Sequence, residues 1–165
     1  MKRARSIAVM FVGLFLVWVL LTSSFQYEEL IAGALVAALI TLFLKGQAVL
    51  FDGFKFGIKP IFKLFLYFFI FLWQLILANI DVAKRVLSPS LPLNPGVVRV
   101  RTKLKSPLAK LMLSSSITLT PGTLTMDIQG QDLFIHWIDV KGKDMESATE
   151  AIVSVFEKGL EEVVE

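Results

Sequence analysis

Apolar and polar positions divide this chain into two kinds of pattern. The N-terminal half holds long uninterrupted apolar runs, and the C-terminal part holds short alternating or helix-spaced ones. Lys2, Arg3 and Arg5 precede an uncharged stretch from Ser6 to Tyr27 whose apolar centre is Ile7–Leu21. Glu28 and Glu29 interrupt it, and a second run, Leu30–Leu44, closes at Lys45 and Gly46. A basic start before an apolar run is also the form of a signal peptide. No small-x-small cleavage site follows, and a second apolar run begins almost at once, so a retained helical hairpin in a membrane is expected over residues 1–45. The second run is 15 residues, which rise about 22 Å as a helix against a hydrocarbon layer of about 30 Å. Flanking residues or local thinning of the bilayer make up the difference. Gly33, Ala34, Ala37 and Ala38 put small residues on adjacent turns of that helix. Such a face lets membrane helices approach closely, and the same residues are also common filler there.

The third run, Ile61–Ile80, is dense in aromatics, among them Phe62, Phe65, Tyr67, Phe69 and Trp73. Its length suits a spanning helix. Positive charges complicate that assignment. Lys and Arg at residues 2, 3, 5, 45, 55 and 59 put both ends of the hairpin in the cytoplasm, and the loop Thr22–Glu29 carries neither residue. A spanning third segment puts everything after it outside. Yet Lys84 and Arg85 follow at once, then Arg99, Arg101, Lys103 and Lys105. Those charges, with the polar Gln74 and Asn79, also fit a helix at the membrane interface. Residues 46–87 are therefore a loop and a third apolar helix, spanning or interfacial, and the C-terminal domain is expected in the cytoplasm.

Ser88–Gly96 contains Pro89, Pro92 and Pro95 and is expected to be a stiff linker. Beyond it, residues 97–165 predict a small α+β domain of order β-α-β-β-α. Val98, Val100 and Thr102 alternate with Arg99, Arg101 and Lys103, the pattern of a half-buried strand. Ser106–Pro107 starts a short helix with Leu108, Leu111, Met112 and Ser115 as its buried stripe. Pro121–Gly122 suits a type II turn. Strands follow at Thr123–Gln129 and Leu133–Val140, with hairpin chemistry between them at residues 130–132. Ser147 and Glu150 form a capping-box pattern. A single last helix is expected from Ala148, Ile152, Val155, Phe156, Leu160 and Val163. About seventy residues make a marginal core, so contacts with partners or the membrane surface are expected to support it.

Composition narrows the function classes. The mean hydropathy of +0.70 is too high for an ordinary soluble protein. The net charge of +3 is uneven. Residues 1–96 carry nine Lys/Arg and four Asp/Glu, hence +5, and residues 97–165 carry eight and ten, hence −2. The basic half is the apolar half, so the charges report membrane topology and not nucleic-acid binding. The chain has no cysteine and one histidine, His136. That leaves no cysteine-ligated metal and no second histidine for a zinc site. No P-loop, dinucleotide or nucleophile-elbow motif occurs. A lone strand histidine is most often structural. Asp127, Asp132 and Asp139 are best read as solvated charges, and Thr118, Thr120, Thr123 and Thr125 as partners of backbone groups around the Pro-Gly turn. No catalytic, cofactor-binding or metal-binding residue is expected.

Three blocks are more specific: PGVVRVRT (Pro95–Thr102), SSSITLTPGTLTMDI (Ser114–Ile128) and LFIHWIDV (Leu133–Val140). They resemble the signature of the MnhE/MrpE family, the E component of multisubunit Mrp-type cation/proton antiporters. The residues that carry the likeness are Pro95, Gly96, Ser116, Thr118, Thr120, Pro121, Gly122, Thr123, His136 and Trp137. It extends over the hairpin, the aromatic segment, the proline linker and the small domain. Related subunits occur in membrane-bound hydrogenases and similar respiratory complexes. Ser114 and Ser115 stand where the family more often has alanine and asparagine, which points to a divergent branch. The resemblance implies a multi-pass protein of a prokaryotic inner membrane, with other integral membrane subunits of one ion-translocating complex and membrane lipid as partners. An ion path across lipid needs ionisable groups inside it. The first two apolar runs have none, and Lys63, near the start of the third, can snorkel. The role implied is therefore accessory and non-catalytic, with transport left to sister subunits. A free-standing membrane-anchored module, binding anionic lipid through Arg99, Arg101, Lys103 and Lys105, is the competing class.

Overall fold

The computed structural model describes residues 2–47, 58–141 and 144–164. The expected loop over residues 48–57, with Asp52, lies outside them. Two compact units are present, residues 1–54 and 55–165.

The first unit is a helical hairpin of α1 (Lys2–Thr22) and α2 (Tyr27–Phe43). The charged residues fall in the first turns of both helices, and Ser23–Gln26, with Phe25 exposed, makes the turn, with Ser23 at φ 49°. Trp18 clamps that end: its indole N–H donates to the Glu29 carbonyl at 3.1 Å. Gly33, Ala37 and Thr41, one turn apart, are the buried residues of α2. A Cβ on Gly33 would collide with the Trp18 ring. The four small residues of α2 are thus divided. Gly33 and Ala37 are buried within the hairpin, the indole taking the space at Gly33, Ala34 is half-buried, and Ala38 is exposed. By length and composition, Ala4–Thr22 of α1 can cross a membrane, and so can the long helix of the second unit.

The second unit begins with that helix, α3 (Ile58–Leu87), and continues through β1 (Gly96–Arg101), α4 (Pro107–Leu119), β2 (Thr123–Gln129), β3 (Asp132–Trp137), α5 (Met145–Ile152) and α6 (Ser154–Val164). The sheet order is β1-β3-β2 with both pairings antiparallel. Alternation holds along β1: Val100 and Thr102 are buried, and Arg99 and Arg101 face outward. Gly130, at φ 64°, opens the two-residue turn that joins β2 to β3. The core fills the space between the sheet's inner face and the helices, with Val100, Leu113, Ile117, Leu133, Ile135 and Leu160 fully enclosed. Tyr67 of α3 joins the same cluster.

Three local expectations are corrected. First, the stripe of α4 is Ala109, Leu113, Ser116 and Ile117, while Leu111 and Ser115 are exposed and Leu108 and Met112 half-buried. Small residues win there because other helices come close. Second, the α5 cap is Asp144, whose carboxylate accepts from the Ser147 N–H at 2.8 Å, so Ser147 is already inside the helix. Third, the single last helix is two. Val153 breaks it, and its carbonyl accepts from both the Phe156 and Glu157 amides, at 3.1 and 2.9 Å, which tightens the first turn of α6. Val155 is accordingly exposed, and Val153 takes the buried place.

Candidate functional site

Strand pairing brings the three signature blocks together. Gly96 pairs with Trp137, and Trp137 pairs with Thr123. The start of β1, the end of β3 and the turn before β2 therefore form one end of the sheet. His136 lies one row in, between Val97 and Leu124. It is exposed with them on the face of the sheet that the helices leave open. Trp137 is half-buried and packs on the core.

The Pro-Gly turn explains most of the threonines. Gly122 sits at φ 94°, a backbone conformation open to glycine, and a Cβ there would come within 2.9 Å of Ile138. The Thr123 N–H donates to the Thr120 carbonyl at 3.3 Å and closes the turn. The last carbonyls of a helix have no partner within it. Here the Thr120 and Thr123 hydroxyls both donate to the Ile117 carbonyl, at 2.7 and 2.6 Å. Thr118 Oγ1 accepts from the Thr125 N–H at 3.1 Å, and the Thr125 hydroxyl donates to the Ser114 carbonyl at 3.3 Å. Thr118 thereby occupies an amide on the outer edge of β2, an edge that would otherwise invite pairing with another strand.

The same end of the sheet is tied to α3. Asn94 bridges to the chain beyond β3: its amide donates to the Ile138 carbonyl at 3.2 Å, and its side chain donates to Val140 O at 2.9 Å. Arg85, near the end of α3, reaches Asp139 at 2.8 Å and Asp81 at 2.8 Å, and donates to the Pro92 carbonyl at 2.9 Å. Farther along α3, the Tyr67 hydroxyl and Ser116 Oγ are 2.6 Å apart and buried. Gly159 of α6 makes room for the Tyr67 ring.

One buried carboxylate was not anticipated. Glu157 of α6 is 7% exposed. It accepts from the Thr102 hydroxyl and from the Lys103 N–H, the latter at 2.7 Å. A charged residue inside the stripe Val153, Phe156 and Leu160 is the sequence signal that could have revealed it. At the opposite end of the sheet from the signature turn, the Arg101 guanidinium bonds Asp132 at 2.8 Å and holds its carboxyl below the usual carboxylate range. Among the described residues, no three His, Asp or Glu side chains are grouped so as to hold a metal ion. These contacts fix elements to one another. They assemble no nucleophile with a base and no cluster of acids.

Known proteins match this arrangement over nearly its whole length. The chain is 40% identical to the E component of the Na(+)/H(+) antiporter of Alkalihalophilus pseudofirmus over 149 residues, 89% of this chain and 90% of that protein. It is 35% identical to the E1 component of the Na(+)/H(+) antiporter of Staphylococcus saprophyticus over 150 residues, 90% of each. Among solved structures, a chain of the membrane-bound sulfane sulfur reductase, an archaeal respiratory membrane complex, superposes with a TM-score of 0.80 at 42% identity, covering 97% of this chain and 98% of that one. The family described as Na+/H+ ion antiporter subunit, MnhE, matches residues 11–163, and the chain belongs to it.

Proposed function

We propose that this chain is a non-catalytic accessory subunit of a multisubunit monovalent cation (Na+)/proton antiporter complex. It supports assembly, and sister subunits carry the ions. The observation that carries the reading is the charge distribution within a member of this family. Ser6–Thr22 and Leu30–Phe43, the apolar lengths of α1 and α2, contain no Asp, Glu, Lys or Arg. Moving a proton or cation through lipid requires such groups inside the bilayer. On α3, Asp81 and Arg85 bond each other, and Arg85 also bonds Asp139. These charges secure the fold. In this reading the protein is a multi-pass component of a prokaryotic inner membrane and not an enzyme. Its N-terminus and α+β domain are cytoplasmic, and its partners are integral membrane subunits and lipid.

A second host is favoured by one observation: the 0.80 TM-score with a chain of the sulfane sulfur reductase complex, at 42% identity and near-complete mutual coverage. The same part would then serve an antiporter-like module of a respiratory complex of the hydrogenase type. Purification of the tagged chain in mild detergent tests both readings. A constant set of multi-spanning proteins is expected to accompany it. Antiporter subunits alone support the first host, and redox subunits with metal clusters support the second. Recovery as a lone monomer overturns both and leaves a free-standing membrane-anchored module.

A further inference from the structure

We propose that α3 does not cross the bilayer but lies in the plane of the membrane surface, its outer face in the lipid acyl chains and the α+β domain on top of it. This placement concerns the second unit alone and does not depend on which complex the chain serves.

The inner side of α3 meets protein along most of its length. Tyr67 bonds Ser116 and fills the space at Gly159. Val82 lies beside Gly122, 3.6 Å from where a Cβ would be. Arg85 bonds Asp139 and the Pro92 carbonyl. From Tyr67 to Arg85 the helix rises about 27 Å. The α+β domain therefore flanks α3 over nearly the thickness of a hydrocarbon layer, about 30 Å. That domain carries exposed Arg99, Arg101, Lys103 and Lys141 and the free side of a sheet. Were α3 to span, these groups would enter lipid, each charge costing several kcal/mol on the lowest scales, about 2.5–3.5.

The periodicity of α3 agrees. At about 100° per residue, Lys63, Gln74, Asp81 and Arg85 share the side of Tyr67, and Lys59 and Lys84 flank it. The opposite side carries Phe62, Phe65, Phe69, Trp73, Ile76 and Ile80, exposed from one end to the other. Asn79, its one amide, donates to its own helix at the Leu75 carbonyl, 2.8 Å away. The charges of α3 stand at its two ends, Lys59 and Lys63 at one and Asp81, Lys84 and Arg85 at the other, with none between them. Both end groups lie on or beside the Tyr67 side, so in an in-plane helix their long basic side chains reach the rim where headgroups sit. Aromatic rings suit that depth. The charged domain lying along one side of α3, set against an aromatic and aliphatic underside whose one amide is Asn79, assigns the occupant as a lipid bilayer.

The test uses the natural absence of cysteine. Phe62→Cys, Phe69→Cys, Ile76→Cys and Ala83→Cys lie seven residues apart on the outer side, so each gives one spin-label site on the exposed surface of the full chain. The chain is reconstituted in phosphatidylethanolamine/phosphatidylglycerol vesicles, and depth is read from the relative accessibility of each label to oxygen and to a water-soluble nickel chelate. Expected is one shallow depth for all four labels, about 5–10 Å below the phosphates. A spanning helix would place Phe69→Cys and Ile76→Cys near the midplane and the other two near opposite surfaces, which overturns the proposal. Labels open mainly to the nickel chelate, or shielded from both reagents, would overturn it equally, since the face would then be in water or under protein.

Discussion

Replacing Gly159 with alanine probes the contact that holds α3 to the α+β domain. The new Cβ would lie 2.7 Å from Cδ2 of Tyr67, against an optimal carbon–carbon separation of about 3.5–4.0 Å. The ring cannot simply withdraw, because its hydroxyl is bonded to Ser116 at 2.6 Å and the residue is buried. Overpacking of this kind costs about 1–3 kcal/mol. Alanine in a helix interior returns about 1 kcal/mol over glycine. The net expectation is a loss of up to about 2 kcal/mol in the docking of α6 on α3, a factor of up to about 30 in the opening equilibrium. Hydrogen exchange of the α6 amides in the detergent-solubilised full chain reads it as exchange faster by that factor. A double-mutant cycle decides the cause. In a Tyr67→Ala background the ring is gone, so Gly159→Ala should be neutral or slightly protective, with a coupling of about 1–3 kcal/mol. Equal acceleration in both backgrounds would refute the reasoning.

Other consequences follow from single contacts. Tyr67→Phe leaves Ser116 Oγ buried without its partner and should cost about 1–2 kcal/mol in thermal or urea unfolding, while the double variant with Ser116→Ala should recover much of the loss, since removing both partners is nearly neutral. Glu157→Ala strands the Thr102 hydroxyl and the Lys103 amide and should cost about 2–4 kcal/mol, and Glu157→Gln, which keeps an acceptor oxygen, should cost less in the same assay. The carboxyl of Asp132 is lowered in the folded state by Arg101, so its contribution is present above the ordinary carboxylate range and fades as pH falls through its lowered folded value. Melts from pH 6 to pH 2 should therefore show a shallower acid limb for Asp132→Asn than for the wild type, and identical limbs would remove Asp132 from the acid response.

Much of the small domain was legible because its signals are local. The alternation of Val98, Val100 and Thr102 with Arg99 and Arg101 gave the first strand its correct inner face. The Pro121–Gly122 pair marked a turn that the structure closes with a glycine at positive φ, and the second strand ends where its apolar run ends, at Gln129. The family was legible from three blocks that strand pairing brings to one end of the sheet. What escaped depends on contacts between distant residues. The last helix breaks at Val153, just before Glu157 bonds Thr102, and neither residue announces the other. The buried side of α4 includes Ala109 and Ser116 where Leu111 is bulkier, because the Tyr67 hydroxyl must reach Ser116. The Ser147–Glu150 pattern misplaced a cap that Asp144 supplies. For the signature itself, the hydrogen bonds of Thr118, Thr120 and Thr123 explain why those residue types sit around that turn. Among the described residues, His136, exposed between Val97 and Leu124, makes no contact that explains its place.

The proposal that sister subunits carry the ions rests on the absence of charged side chains in the apolar lengths of α1 and α2, and one measurement addresses it directly. The purified chain, reconstituted alone in sealed liposomes under an imposed pH gradient, should exchange no more sodium for protons than protein-free vesicles. Exchange by the isolated chain above that level would mean that the ions pass through this polypeptide, and would contradict the assignment of transport to its neighbours.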